Sequence, residues 1–118
     1  MNYNDGPTAA ALIDIKRERL RQLEKWGKQS RTFADFHTQG PAEMQNLNMM
    51  RTLYDIETTS ADGPRWDTIL GEELLEARTA GTIEELRTEL VQSAAVIVAM
   101  IEQIDRQEYI NPDFVDYK

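Results

Sequence analysis

The sequence predicts an all-α fold of about four helices, and three observations carry that prediction. Apolar residues recur every three to four positions over four separate stretches. No alternating apolar and polar run competes as a strand. Proline and glycine signals fall between the stretches, where turns are needed.

The first stretch is Ala9, Leu12, Ile13, Leu20, Leu23 and Trp26, which predicts a helix over roughly residues 8–28 ending near Gly27. Its other face carries Lys16, Arg17, Arg19, Arg21 and Lys25. Residues 30–41 mix polarities and read as a loop, in which the lone His37 has no spaced partner and is taken as a surface residue. Pro41 opens a second helix over about 42–58, with Met44, Leu47, Met50, Leu53 and Tyr54 on one side. Asp62-Gly63-Pro64 is a turn followed by a helix start, because proline in a first turn gives up a backbone donor that has no partner there anyway. The third helix is expected over about 64–79.

Gly81 ends that helix, and Thr82-Ile83-Glu84-Glu85 is a capping box. Ile83, Leu86, Leu90, Ala94, Ile97, Val98, Ile101 and Ile104 carry the fourth period to about residue 108. It is the longest and most apolar element, and the expectation is that it lies at the centre of the fold. The whole chain, 1–118, is expected to be one domain, with 1–7 and 109–118 as extended tails.

At 118 residues a single domain can bury a core, yet is short enough for a partner chain to complete it. Hydrophobic residues at 41% and charged residues at 29% fit a globular protein and exclude wholesale disorder. The absence of cysteine removes disulfides and zinc–thiolate sites. A net charge of −8 repels polyanions, so nucleic acid is not an expected partner; a small phosphorylated ligand is still admissible, because a bound divalent cation reverses the local field. The opening residues lack a basic then apolar leader pattern, and no apolar run suits a membrane, so the expected compartment is the cytoplasm.

The chemistry lies around the short third connection, which makes the third and fourth helices antiparallel neighbours. Glu73 stands eight residues before Gly81 and Glu89 eight after it. At ~1.5 Å rise per residue both are roughly 12 Å from the turn, so they are level. Glu72 and Glu76 lie one helical turn apart beside Glu73. The plain reading of such residues is a solvated acidic face. The alternative is convergence on one pocket, where mutual repulsion calls for protons or a cation. Magnesium suits it, since it takes hard oxygen ligands and keeps waters that phosphate oxygens can replace; without His or Cys, zinc is disfavoured.

The pattern Glu72-Glu73-x-x-Glu76, twelve residues, then Glu89-x-x-Gln92 resembles the E-E-x-x-E…E-x-x-D motif of the MazG-like all-α nucleoside triphosphate pyrophosphohydrolases. The segments 18–29, running Glu-Arg-Leu-Arg-Gln-Leu-Glu-Lys-Trp-Gly-Lys-Gln, and 86–106 resemble the MazG-like proteins of bacteriophages and their bacterial hosts. Residues 30–62 and 107–118 lie outside the likeness. Gln92 departs from it, standing where the family most often has Asp.

The resemblance implies a four-helix MazG-like bundle, completed by oligomerisation as a homodimer or homotetramer. It also implies hydrolysis of a nucleoside triphosphate, or a related nucleotide, to the monophosphate and pyrophosphate, in a bacterial or phage-infected cell. Glu73, Glu76 and Glu89 are then the metal ligands, with Gln92 as a neutral fourth, and Glu72 is a ligand or accepts a proton from water. Magnesium is the expected ion, with manganese second. Lys25 and Lys28 are candidates for phosphate and Trp26 for stacking on a base, with Gln29 beside them; Trp26 at the end of an apolar stripe otherwise reads as core, and Lys25 as solvated. The alternative left by Gln92 is a catalytically weakened protein of the same fold that binds or sequesters nucleotides.

Overall fold

The four expected helices are present in a computed structural model: α1 (Gly6–Trp26), α2 (Pro41–Glu57), α3 (Trp66–Arg78) and α4 (Ile83–Asp105). The structure describes residues 6–33, 36 and 38–108, and no strand occurs among them. The all-α class is thus shown, with helix ends shifted by one to three residues from expectation. His37, residues 1–5 and residues 109–118 lie outside the described part, so only Gly6 and Pro7 of the expected tails are seen, and both belong to α1. Pro7 is tolerated there because the first turn has no intrahelical acceptor for its missing N–H.

The chain divides into two compact units. In the first, residues 1–29 and 98–118, the Thr8 hydroxyl of α1 donates to the Glu102 carboxylate of α4. Ala11 is fully buried and Val98 nearly so. Gly27 ends α1 in the left-handed region at φ 67°, with its N–H donating to the Leu23 carbonyl at 2.7 Å, which is the termination that the glycine announced.

In the second unit, residues 30–97, α2 and α3 pack with their backbones close together. Gly71 of α3 faces Met50 of α2, whose sulfur lies at contact distance, 3.4 Å, from where a β-carbon would stand. The turn between them contains Gly63 at φ 70°. The start of α3 is held from α2, because the Glu57 carboxylate accepts the Arg65 N–H at 2.9 Å and the hydroxyl of buried Thr68 at 3.0 Å. Helix α3 therefore opens at Trp66, two residues later than Pro64 suggested.

The other end of α3 is held by the segment read as a loop. Thr38 N–H donates to the Arg78 carbonyl at 2.7 Å and the Gln39 amide to the Thr79 carbonyl at 3.0 Å, satisfying carbonyls that a helix end leaves without partners. Arg78 in turn donates to the Phe36 carbonyl at 3.1 Å and lies over the Phe36 ring. The same segment leads directly into α2, so both ends of α3 are tied to α2 or its approach.

The capping box forms at the start of α4: Glu85 N–H donates to the Thr82 hydroxyl at 3.1 Å. The return arm reaches one residue further than expected, with the Glu85 carboxylate accepting the Gly81 N–H at 2.9 Å. Ala77, Ala80 and Leu86 form the core where α3, the turn and α4 meet, with Phe36 against it.

This core is thin, and no large side chain among the described residues is fully buried. Leu20, Leu23 and Trp26 of α1 are exposed, Trp26 by 52%. Ile83, Val91, Ile97 and Ile104 of α4 are exposed too, so in the single chain much of the longest apolar stripe is uncovered rather than central. An apolar period marks the face that avoids water but does not name what covers it. Among the described residues no helix is long and apolar enough to cross a membrane.

Candidate metal centre

Helices α3 and α4 bring their glutamates together in the second unit. One carboxylate oxygen each from Glu73, Glu76 and Glu89 lies within 4.8 Å of the other two, and all three side chains are half-buried. In an octahedral magnesium shell with ~2.1 Å bonds adjacent oxygens are ~3.0 Å apart and opposite ones ~4.2 Å, so the three would draw closer by side-chain rotation to share one ion. The donors are all hard carboxylate oxygens, which fits magnesium or manganese. The level placement of Glu73 and Glu89 read from their equal distance to Gly81 is realised in these contacts.

The electrostatics follow from proximity under partial burial. Burial first, then the negative charges of Glu76 and Glu73, push the Glu89 carboxyl up to about 7. Glu73 is raised by burial and then by Glu76. Glu72 is raised by burial and by Glu76, against which it lies, while Arg51 pulls it in the opposite direction. Glu76 is thus the common neighbour of the other three. A cation at this cluster would favour the ionised carboxylates that burial and mutual repulsion disfavour.

Gln92 follows Glu89 by three residues on α4 and faces the same cluster. With its amide nitrogen turned inward it donates to Glu89 Oε2 and to Glu73 Oε2, each at 3.1 Å. This bridge joins α3 to α4 and presents a donor, not a carboxylate, at the position where the MazG-like pattern has Asp. Ser93 beside it is buried, with its hydroxyl donating to the Glu89 carbonyl at 2.9 Å.

Sequence reading missed Arg51. It stands on α2 with Nη2 3.6 Å from Glu76 Oε1. It also helps line a cavity of about 310 Å³ whose walls include Met44 and Leu47 of α2, Glu76 of α3, Thr79, and Glu89 of α4. The signal was present: Arg51 follows Leu47 by four residues and so interrupts the apolar side of the second helix with a charge.

Lys25, Trp26, Lys28 and Gln29 belong to the first unit. Trp26 is exposed rather than core, and the Lys25 ammonium lies over its ring at 5.0 Å from the centroid. This gives the pair a local role, a cation held over an aromatic face at the end of α1.

Comparisons with protein-family models, with curated proteins and with solved structures find no match to this chain.

Proposed function

We propose that the chain is a magnesium-dependent nucleotide pyrophosphohydrolase of the MazG-like type, acting on nucleoside triphosphates or related nucleotides. The observation that carries the reading is the convergence of Glu73, Glu76 and Glu89 within 4.8 Å, on helices where their spacing matches the family motif. The reaction adds water across the bond between the α and β phosphates, giving the monophosphate and pyrophosphate. Such transfers depend on positioning and charge neutralisation more than on covalent catalysis.

A bound divalent ion would neutralise phosphate oxygens and acidify a water. Glu73, Glu76 and Glu89 would hold it. Glu72, outside that trio but against Glu76 and with its carboxyl raised by burial and by Glu76, would accept the water's proton. Gln92, with its amide nitrogen turned toward Glu73 and Glu89, would hold the two carboxylates by donating to both.

A homodimer or homotetramer is part of the proposal, supported by the apolar side chains that α1 and α4 leave exposed. A specific observation favours a second reading, a protein of this fold that binds nucleotides and turns them over weakly: the neutral amide of Gln92 in place of an acid. Incubation with a panel of ribo- and deoxynucleoside triphosphates and magnesium, with assay of pyrophosphate, tests the first reading. Release from at least one nucleotide, abolished by Glu73→Gln, is expected; a folded protein that releases none sinks it.

A further inference from the structure

The net charge of −8 opposes the approach of any polyphosphate, so a nucleotide site on this chain needs a local cation as well as a metal. Among the residues lining the cavity beside the glutamates, Arg51 supplies it. Its 3.6 Å ion pair with Glu76 is longer than the ~2.7–2.9 Å of the paired N–H···O bonds that guanidinium and carboxylate make when fully engaged. Its side chain is half exposed, whereas that of Glu76 is 21% exposed. The guanidinium therefore sits on the open side of a more enclosed carboxylate.

Resting on the metal reading above, we propose that Arg51 is the phosphate-binding residue of this site. The cavity between Arg51 and Glu89 then receives a nucleoside polyphosphate whose charge is shared between the metal and the guanidinium. Two features of the geometry favour this over a role in neutralising the acidic cluster. First, Glu76 is one of the three converging carboxylates, so a divalent ion and Arg51 compete for it. The arrival of the ion weakens the attraction that keeps Arg51 beside Glu76, and the guanidinium then pairs with an incoming anion. Second, the cavity that Arg51 lines is also lined by Met44, whose exposed side chain gives apolar surface for the uncharged part of a nucleotide. At about 310 Å³ the cavity is at the lower end of the ~300–1,000 Å³ range of small-ligand pockets.

The two roles differ in polyphosphate binding when Arg51 is removed, since either one leaves the affinity for the metal alone unchanged or tighter. A phosphate-binding Arg51 competes with the metal, so Arg51→Met leaves the affinity for magnesium or manganese alone unchanged or tighter. The same variant weakens binding of inorganic tripolyphosphate, and of α,β-methylene nucleoside triphosphates, in the presence of magnesium by about tenfold or more. Arg51→Lys keeps the charge without the planar fork and falls between the two. Arg65→Met removes an equal charge from Arg65, which pairs with Asp67, and is expected to bind as the wild type does.

Calorimetric titration of the folded full chain, with helicity checked by circular dichroism, reads all four proteins. Unchanged tripolyphosphate affinity in Arg51→Met overturns the assignment while leaving the metal reading intact. An equal loss in Arg65→Met overturns it as a general charge effect. Wild-type protein that binds no divalent ion defeats the metal reading, and this inference with it. Should Arg51→Met fail to fold, Arg51→Lys decides: wild-type affinity for tripolyphosphate overturns the proposal and a several-fold loss supports it.

Discussion

Glu73 on α3 and Glu89 on α4 turn their carboxylates toward one another, and the Gln92 amide, with its nitrogen turned toward them, donates to both at 3.1 Å. The two residues stand on either side of the turn between the helices, yet burial and the neighbouring Glu76 raise the carboxyls of both. The charges and bonds around this pair, and the contacts that hold the ends of α3 and α4, set five expected outcomes.

On the proposed metal reading a divalent ion and protons compete for Glu89. Its carboxyl is raised to about 7 in the folded protein, from the ordinary value of 4.5. It is therefore protonated when folded and ionised when unfolded between those values. Its contribution to stability is complete below about pH 4.5 and is lost as pH rises through about 7. The metal-free protein should lose stability from this group on going from about pH 5 to about pH 8, and magnesium should offset that loss, most strongly at the alkaline end. Thermal unfolding in chelator and in magnesium across this range checks the sign; Glu89→Gln should flatten the chelator curve.

Glu76 raises its three acidic neighbours, so Glu76→Gln should return Glu89, Glu73 and Glu72 toward the usual carboxylate range. Carboxyl titration by nuclear magnetic resonance reads this directly. The same variant should weaken divalent-ion binding by about tenfold or more, because it removes one of three charged ligands. Lowered carboxyl values with unchanged metal affinity would exclude Glu76 from the ligand set.

Gln92→Asp places a fifth acid against the cluster and removes the double donor. Metal affinity should rise at pH 8 while the metal-free protein loses stability, by roughly 1–3 kcal/mol for the lost bonds to charged groups. Turnover measured beside affinity separates the two functional readings. A strong gain identifies the natural protein as a weakened enzyme, whereas an unchanged or lower rate identifies Gln92 as part of a working site.

Thr82→Ala deletes the hydroxyl that caps α4 and should cost about 1 kcal/mol in urea unfolding. The turn it caps sets Glu73 against Glu89, so magnesium affinity should fall as well. Glu57→Gln tests the opposite end of α3, where the carboxylate holds the Arg65 N–H and the buried Thr68 hydroxyl; a loss of roughly 1–3 kcal/mol is expected.

The local rules were legible in the sequence because each depends on a few neighbouring residues. Periodicity placed α1 to α4, Gly27 placed an end and Thr82-Ile83-Glu84-Glu85 placed a start. The convergence of Glu73, Glu76 and Glu89 was readable too, since a short turn and a constant helical rise leave little freedom in how the two helices align. Only the tertiary structure decided what comes from elsewhere in the chain: Arg51 beside Glu76, residues 38–39 capping α3 from forty positions away, and Glu57 opening it. It also decided that the apolar stripe of α4 stays largely uncovered in one chain. A helical period states which side of a helix avoids water, but the choice of partner depends on packing between distant segments, and no local pattern records that choice.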